Sequence, residues 1–274
     1  MKTILVPTDF SKCATKAMHY ALKYAAKNEY NVILAHSVTP AETVNNNVYN
    51  AFYESSYVEL KREMLDELTE AVRKKYKMKG DRLRSIVQIS YPISSICDIA
   101  ERENVDMIIM GSQGASGLKG ILIGSTASGV IERTSIPVLI LPPNVKYTAV
   151  DKVTLATDFT KKLNSKSSKL FDELCMQLVG PIDIVHVYDK KAEKPTVAQK
   201  KAFVDLVSNH PYEFHIIHDK NIPNAINLFA ESSKADVLVM ISHKHNLFSK
   251  MMFSTNTKQV AKEIKCPLLV LHSK

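Results

Sequence analysis

Short β-branched runs alternate with longer stretches of helical periodicity along the first half of the chain. Strands are predicted near 2–7, 31–38, 83–90, 106–110 and 137–141, with amphipathic helices near 12–28, 56–78, 93–104 and 125–134 between them. Strict β-α alternation of this kind predicts a parallel sheet with helices on both faces and right-handed crossovers. The runs 107–110 and 138–141 are apolar at every position, as strands buried on both faces require. The second half repeats the pattern, with strands predicted near 152–157, 182–187, 212–218, 236–241 and 267–272.

The two halves are also alike residue by residue. ILVPTDFS at 4–11 returns as VTLATDFT at 153–160, and LAH at 34–36 returns as IVH at 184–186. DMIIM at 106–110 returns as DVLVM at 236–240, and IPVLIL at 136–141 returns as CPLLVL at 266–271. A tandem duplication follows, with domains expected over 1–143 and 150–274 and a Pro-Pro junction between them. The spacing between matching landmarks drops from 150 to 130 after the second strand, so the second copy has lost residues there. In the first copy that stretch, 39–57, is polar and rich in Asn and Tyr, and reads either as a mobile lid or as a surface loop without function.

Composition narrows the field. The 274 residues are 45% apolar and 23% charged, which excludes a fibrous or disordered chain. No apolar run approaches the roughly 20 residues of a bilayer span, and the N-terminus meets Pro7 and Asp9 before a signal-peptide core could form, so a cytoplasmic protein is expected. A net charge of +8 suggests anionic partners without choosing one. Its division between the halves, +3 for 1–149 and +5 for 150–274, marks no site. The four cysteines are scattered, no His-x-x-x-His pattern is present, and His215 and His218 fall on opposite strand faces, so no metal site is predicted. No Gly-x-Ser-x-Gly elbow supplies a nucleophile, and no aromatic platform marks a nucleic-acid surface.

Six of the eight glycines, at 111, 114, 117, 120, 124 and 129, lie within 19 residues where the fourth strand gives way to the last helix. Residues without Cβ, free N–H donors and the positive end of a helix dipole suit a phosphate chain lying against backbone. The spacing is neither a P-loop nor the compact dinucleotide fingerprint. Gly111, Gly114, Gly124 and Ser125, in the pattern Gly-x2-Gly-x9-Gly-Ser, resemble the nucleotide-binding signature of the universal stress protein family. The VPTDFS segment at 6–11, His36 and the IPVLIL strand are similar to further landmarks of that family, and the doubled architecture resembles its tandem members.

That resemblance implies two tandem doubly wound α/β domains, Rossmann-like, each with strand order 3-2-1-4-5, so that Asp9 and Gly111 face one crevice at the topological switch point. It implies an ATP site, or a site for another adenine nucleotide, accompanied by Mg2+ if hydrolysis occurs. Thr8 and Asp9 fall at the ribose, Ser37 or Val38 at the adenine edge, and Gly111, Gln113, Gly114, Gly124, Ser125 and Thr126 around the phosphates, with Met110 as a further residue of the site. A helix cap is the competing role for Asp9. The second copy has Ile241, Lys244, Ser254 and Thr255 at the motif positions, which predicts no such site there. The function expected is a stress-response regulatory protein with one competent site and a protein partner of unknown identity. A nucleotide-free scaffold and a slow ATP hydrolase are the alternatives. The family also pairs such folds through their last strands, which 138–141 and 268–271 could satisfy internally, leaving homo-oligomers open.

Overall fold

A computed structural model of the chain describes residues 1–40, 50–113, 124–159, 163–189, 196, 210–242, 260 and 265–273. The chain divides into two compact units, one of residues 1–117 and 124–133, the other of residues 118–123 and 134–274.

In the first unit β1 (Thr3–Pro7), β2 (Asn31–Val38), β3 (Leu83–Ile89) and β4 (Met107–Gly111) form a parallel sheet in the order β3-β2-β1-β4. The helices are α1 (Lys12–Asn28), α2 (Asn50–Tyr76), α3 (Pro92–Arg102) and α4 (Ser125–Arg133). Helix α1 buries Ala14, Ala17, Met18, Ala21, Leu22 and Ala25, a stripe at three- and four-residue spacing that faces the sheet. Ser11 caps its N-terminus by accepting from the Ala14 amide at 3.2 Å, and Glu29 closes it in the left-handed region at φ 57°. Helix α3 opens with Pro92, whose missing N–H costs nothing in a first turn. Helix α2 begins at Asn50, earlier than periodicity predicts.

Strand β1 has β2 on one side and β4 on the other. The connections leaving β1 and β4 therefore diverge, and a crevice opens at the carboxyl ends of these strands. Its walls rest on a core in which Ile4, Leu5, Val6, Val32, Ile33, Leu34, Ile108 and Ile109 are almost fully buried. Each such side chain contributes roughly 1.5–3 kcal/mol over an exposed one.

The second unit contains β5 (Val138–Leu141), β6 (Val153–Ala156), β7 (Ile182–Tyr188), β8 (Tyr212–His218), β9 (Val237–Ser242) and β10 (Leu268–His272), with helices α5 (Ser165–Cys175) and α6 (Ile222–Ser232). Its own parallel strands run β10-β9-β6-β7-β8, the expected order read from the other edge. Strand β5 belongs to the first sequence repeat yet groups with this unit. It lies antiparallel to β10, with Leu139 opposite Leu269 and Val138 opposite Val270. Among the described residues no helix is long and apolar enough to cross a membrane.

Candidate functional site

The turn that leaves β1 is held by a small set of bonds. The Thr8 amide donates to the Ala35 carbonyl at 2.8 Å, and His36 Nδ1 lies 2.8 Å from the Thr8 carbonyl. A carbonyl only accepts, so Nδ1 carries the proton and the imidazole tautomer is fixed. Phe10 follows at φ 60°, a conformation unfavourable for a bulky residue, and its ring leans on His36 with centroids 4.7 Å apart. Its amide donates to Thr8 Oγ1 at 3.1 Å. Asp9 is exposed between them, and its Oδ1 accepts the Ser11 amide at 3.0 Å. Ser11, not Asp9, is the cap of α1, which leaves the Asp9 carboxylate at the rim of the crevice.

The same turn is built in the second unit. The Thr157 amide donates to Val185 at 3.1 Å, His186 Nδ1 donates to the Thr157 carbonyl at 2.8 Å, and Phe159 sits at φ 61° against His186. Two copies of one strained turn, at matching positions, show the duplication in geometry as well as in sequence.

Opposite Asp9, β4 ends at Gly111, where a Cβ would stand 2.6 Å from Cys13 Sγ and 3.3 Å from the Cys13 backbone. Glycine is required there so that the first turn of α1 can approach β4. Gly129 has a similar origin, since a Cβ on it would lie 2.3 Å from Ile93 Cδ1 of α3. Two of the six clustered glycines thus serve packing directly. The Gly124 amide donates to the Ser112 carbonyl at 2.6 Å, drawing the start of α4 back over the end of β4. The amides of Ser125, Thr126 and Ala127 precede the first intrahelical bond, which the Ser128 amide makes to the Gly124 carbonyl at 3.1 Å, and no acidic side chain occupies that first turn.

These parts enclose a cleft of about 400 Å³, within the range of small-molecule sites. Thr8, Asp9, Ser37, Met110, Gly111, Gln113, Gly124, Ser125 and Thr126 line it, so nine of the sequence-predicted site residues converge. Val38 does not line it: this residue is fully buried, and its carbonyl accepts the Ser90 amide. Gly114 lies outside the described residues, as do Lys244, Ser254, Thr255 and residues 41–49 of the 39–57 stretch. Sequence reasoning missed Phe10, Thr39, Tyr57, Lys61, Pro92 and Ser95, which also line the cleft. Lys61 stands over the Phe10 and Tyr57 rings at 5.7 and 5.1 Å from their centroids and brings a cation to the wall formed by α2. A lysine on a helix that also carries many other charged residues gives no sequence signal of such a role.

A doubly wound α/β domain with a cleft at its switch point, set in a duplicated chain, defines the class of protein. The universal stress protein family model matches residues 1–142 and again 151–272, and the chain belongs to that family as a tandem member. The universal stress protein MJ0577 of Methanocaldococcus jannaschii is 33% identical over 152 residues, covering 51% of this chain and 94% of its own length. A universal stress protein from Archaeoglobus fulgidus matches 98% of this chain and 97% of its own at 22% identity, with a TM-score of 0.74, which shows the shared fold over both repeats. A universal stress protein in complex with cAMP matches 54% of this chain at 22% identity, with a TM-score of 0.39.

Proposed function

We propose that the chain is a stress-response regulatory protein that binds an adenine nucleotide, ATP foremost, at one site in the domain of residues 1–143. The domain of residues 150–274 is its degenerate partner. The observation that carries this reading is the facing of two unlike rims across one cleft. Backbone of Gly111 and Gln113 with the first-turn amides of Ser125 and Thr126, which have no intrahelical acceptor, forms one rim, and the exposed Asp9 carboxylate forms the other. First-turn helix amides, together with the α4 dipole, suit a polyphosphate, while a carboxylate suits ribose hydroxyls. Ser37 and Thr39, at the end of β2, supply polar groups for the base edge, and Met110 supplies an apolar surface. A Mg2+ ion would arrive on the phosphates, with Asp9 as a nearby carboxylate.

Equilibrium dialysis of the purified chain against ATP, ADP, AMP and cAMP tests the reading. ATP is expected to bind, and Ser125→Glu, which sets a negative charge on the exposed first residue of α4, to weaken binding by about tenfold or more with an unchanged melting temperature. Failure of all four nucleotides to bind at about 1 mM returns the chain to the scaffold reading. Single-turnover assays with Mg2+ that convert bound ATP to ADP would favour the hydrolase.

A further inference from the structure

The second unit holds a cluster of unlike chemistry on the amino-terminal halves of β7 and β8. Asp183 of β7 pairs in register with Glu213 of β8, and Val185 with His215, so Asp183, Glu213 and His215 project from one face of the sheet. One ligand atom from each lies within 4.8 Å of the others. His215 Nε2 is 2.8 Å from Asp183 Oδ1 and 4.0 Å from Glu213 Oε2. The His215 ring is held against Phe229 of α6, with centroids 4.7 Å apart.

Two further observations ask for a cation. The Asp183 side chain is only 7% exposed, and its Oδ2 is buried without a hydrogen-bond donor. A buried carboxylate with an unsatisfied oxygen is costly unless a positive charge compensates it. The Lys152 ammonium, 3.4 Å from that oxygen, supplies charge without hydrogen-bond geometry, and its side chain is 45% exposed. The second observation comes from the duplication. By strand register the first repeat has Ile33, Arg84 and Ile86 where the second has Asp183, Glu213 and His215. Ile33 is buried in the core, so an isoleucine suffices at that place in the fold. The second repeat has exchanged two apolar side chains and a cation for two carboxylates and an imidazole.

We propose that Asp183, Glu213 and His215 bind a divalent first-row transition ion of the zinc or cobalt type, with solvent as the remaining ligand. An imidazole donor beside two carboxylates favours such ions over Mg2+ or Ca2+. Ligand atoms about 2.0–2.1 Å from a tetrahedral ion lie about 3.3 Å apart, between the two separations seen from His215 Nε2. The exposed Glu213 closes its longer gap by rotating. In the ion-free state Nε2–H donates to Asp183. On binding, Nε2 gives its lone pair to the ion, the ring proton moves to Nδ1, and Lys152 swings toward solvent. The three ligands come from two strands about 30 residues apart, outside any local motif, which is why sequence spacing does not reveal them.

Titration of Co2+ into the untagged, chelator-treated full chain tests the proposal through the visible absorption of four-coordinate cobalt, with Zn2+ as competitor. One ion per chain is expected with that spectrum. Glu213→Gln and His215→Gln should each weaken binding by about tenfold or more, and Lys152→Gln should strengthen it. Glu213 is exposed, so its substitution leaves the fold intact, as far-ultraviolet circular dichroism should verify. Absence of the spectrum at millimolar Co2+, or a spectrum that survives both Glu213→Gln and His215→Gln, overturns it.

Discussion

At the scale of single residues, the glycines separate into those that a ligand would need and those that the fold needs already. Gly111 is of the second kind whatever it also does for a ligand, because Cys13 Sγ occupies the space that a Cβ would take. Gly111→Ala is expected to destabilise the chain by about 1–3 kcal/mol, the range for overpacking a close contact. Removing the obstructing sulfur in Cys13→Ala should restore part of that loss when combined with it. The recovery is partial because the Cys13 backbone, 3.3 Å away, also presses on the new methyl group. Urea unfolding of the two single variants and the double variant measures the coupling, and strict additivity would show that the contact is not responsible. Burial pushes the Cys175 thiol up to about 12 and that of Cys266 up to about 11, so both stay protonated and inert at neutral pH.

Between elements, α1 and α2 meet where the Tyr76 hydroxyl lies 3.0 Å from His19 Nδ1. Burial, and then the ammonium groups of Lys75 and Lys23, hold the His19 imidazole below its ordinary value of 6.5. The neutral ring accepts the phenol proton, and the folded state resists protonation more than the unfolded one. Stability from this pair is therefore complete above about pH 6.5, and falls as acid protonates the unfolded chain first. It levels off below the folded value. The advantage of the native chain over His19→Gln should be larger at about pH 7.5 than at about pH 5.5 in urea unfolding, and a difference independent of pH would count against the linkage. Elements of this size were legible in the sequence because apolar periodicity is a local property: α1 was read to the residue, as were the edges of β2 and β8. Part of the lining of the candidate cleft was legible where glycines and the TDF segment cluster. Lys61, Tyr57 and Pro92 were not, since they reach the cleft only through the packing of α2 and α3 on the sheet. The Asp183–His215 contact was hidden for the same reason, being set by strand register.

For the whole molecule, the consequence of duplication is asymmetry. Both repeats keep the strained Phe turn and its histidine, yet the end of β9 carries Ile241, 2% exposed, where β4 ends in Gly111. The one-site proposal rests on this exchange of glycine for a branched residue. If ATP binds by the rims of the first cleft, its protection should be confined there. Hydrogen exchange followed by mass spectrometry should show ATP slowing amides at 107–113 and 124–133 while leaving 153–157 and 237–242 unchanged. At a hundredfold excess over Kd, binding is worth about 2.7 kcal/mol to whatever opening exposes the site, about a hundredfold slowing of any amide that exchanges only through that opening. Equal protection of both sets would mean that the second repeat binds nucleotide despite Ile241. The close approach of ligand to glycine backbone would then not be what distinguishes the two repeats.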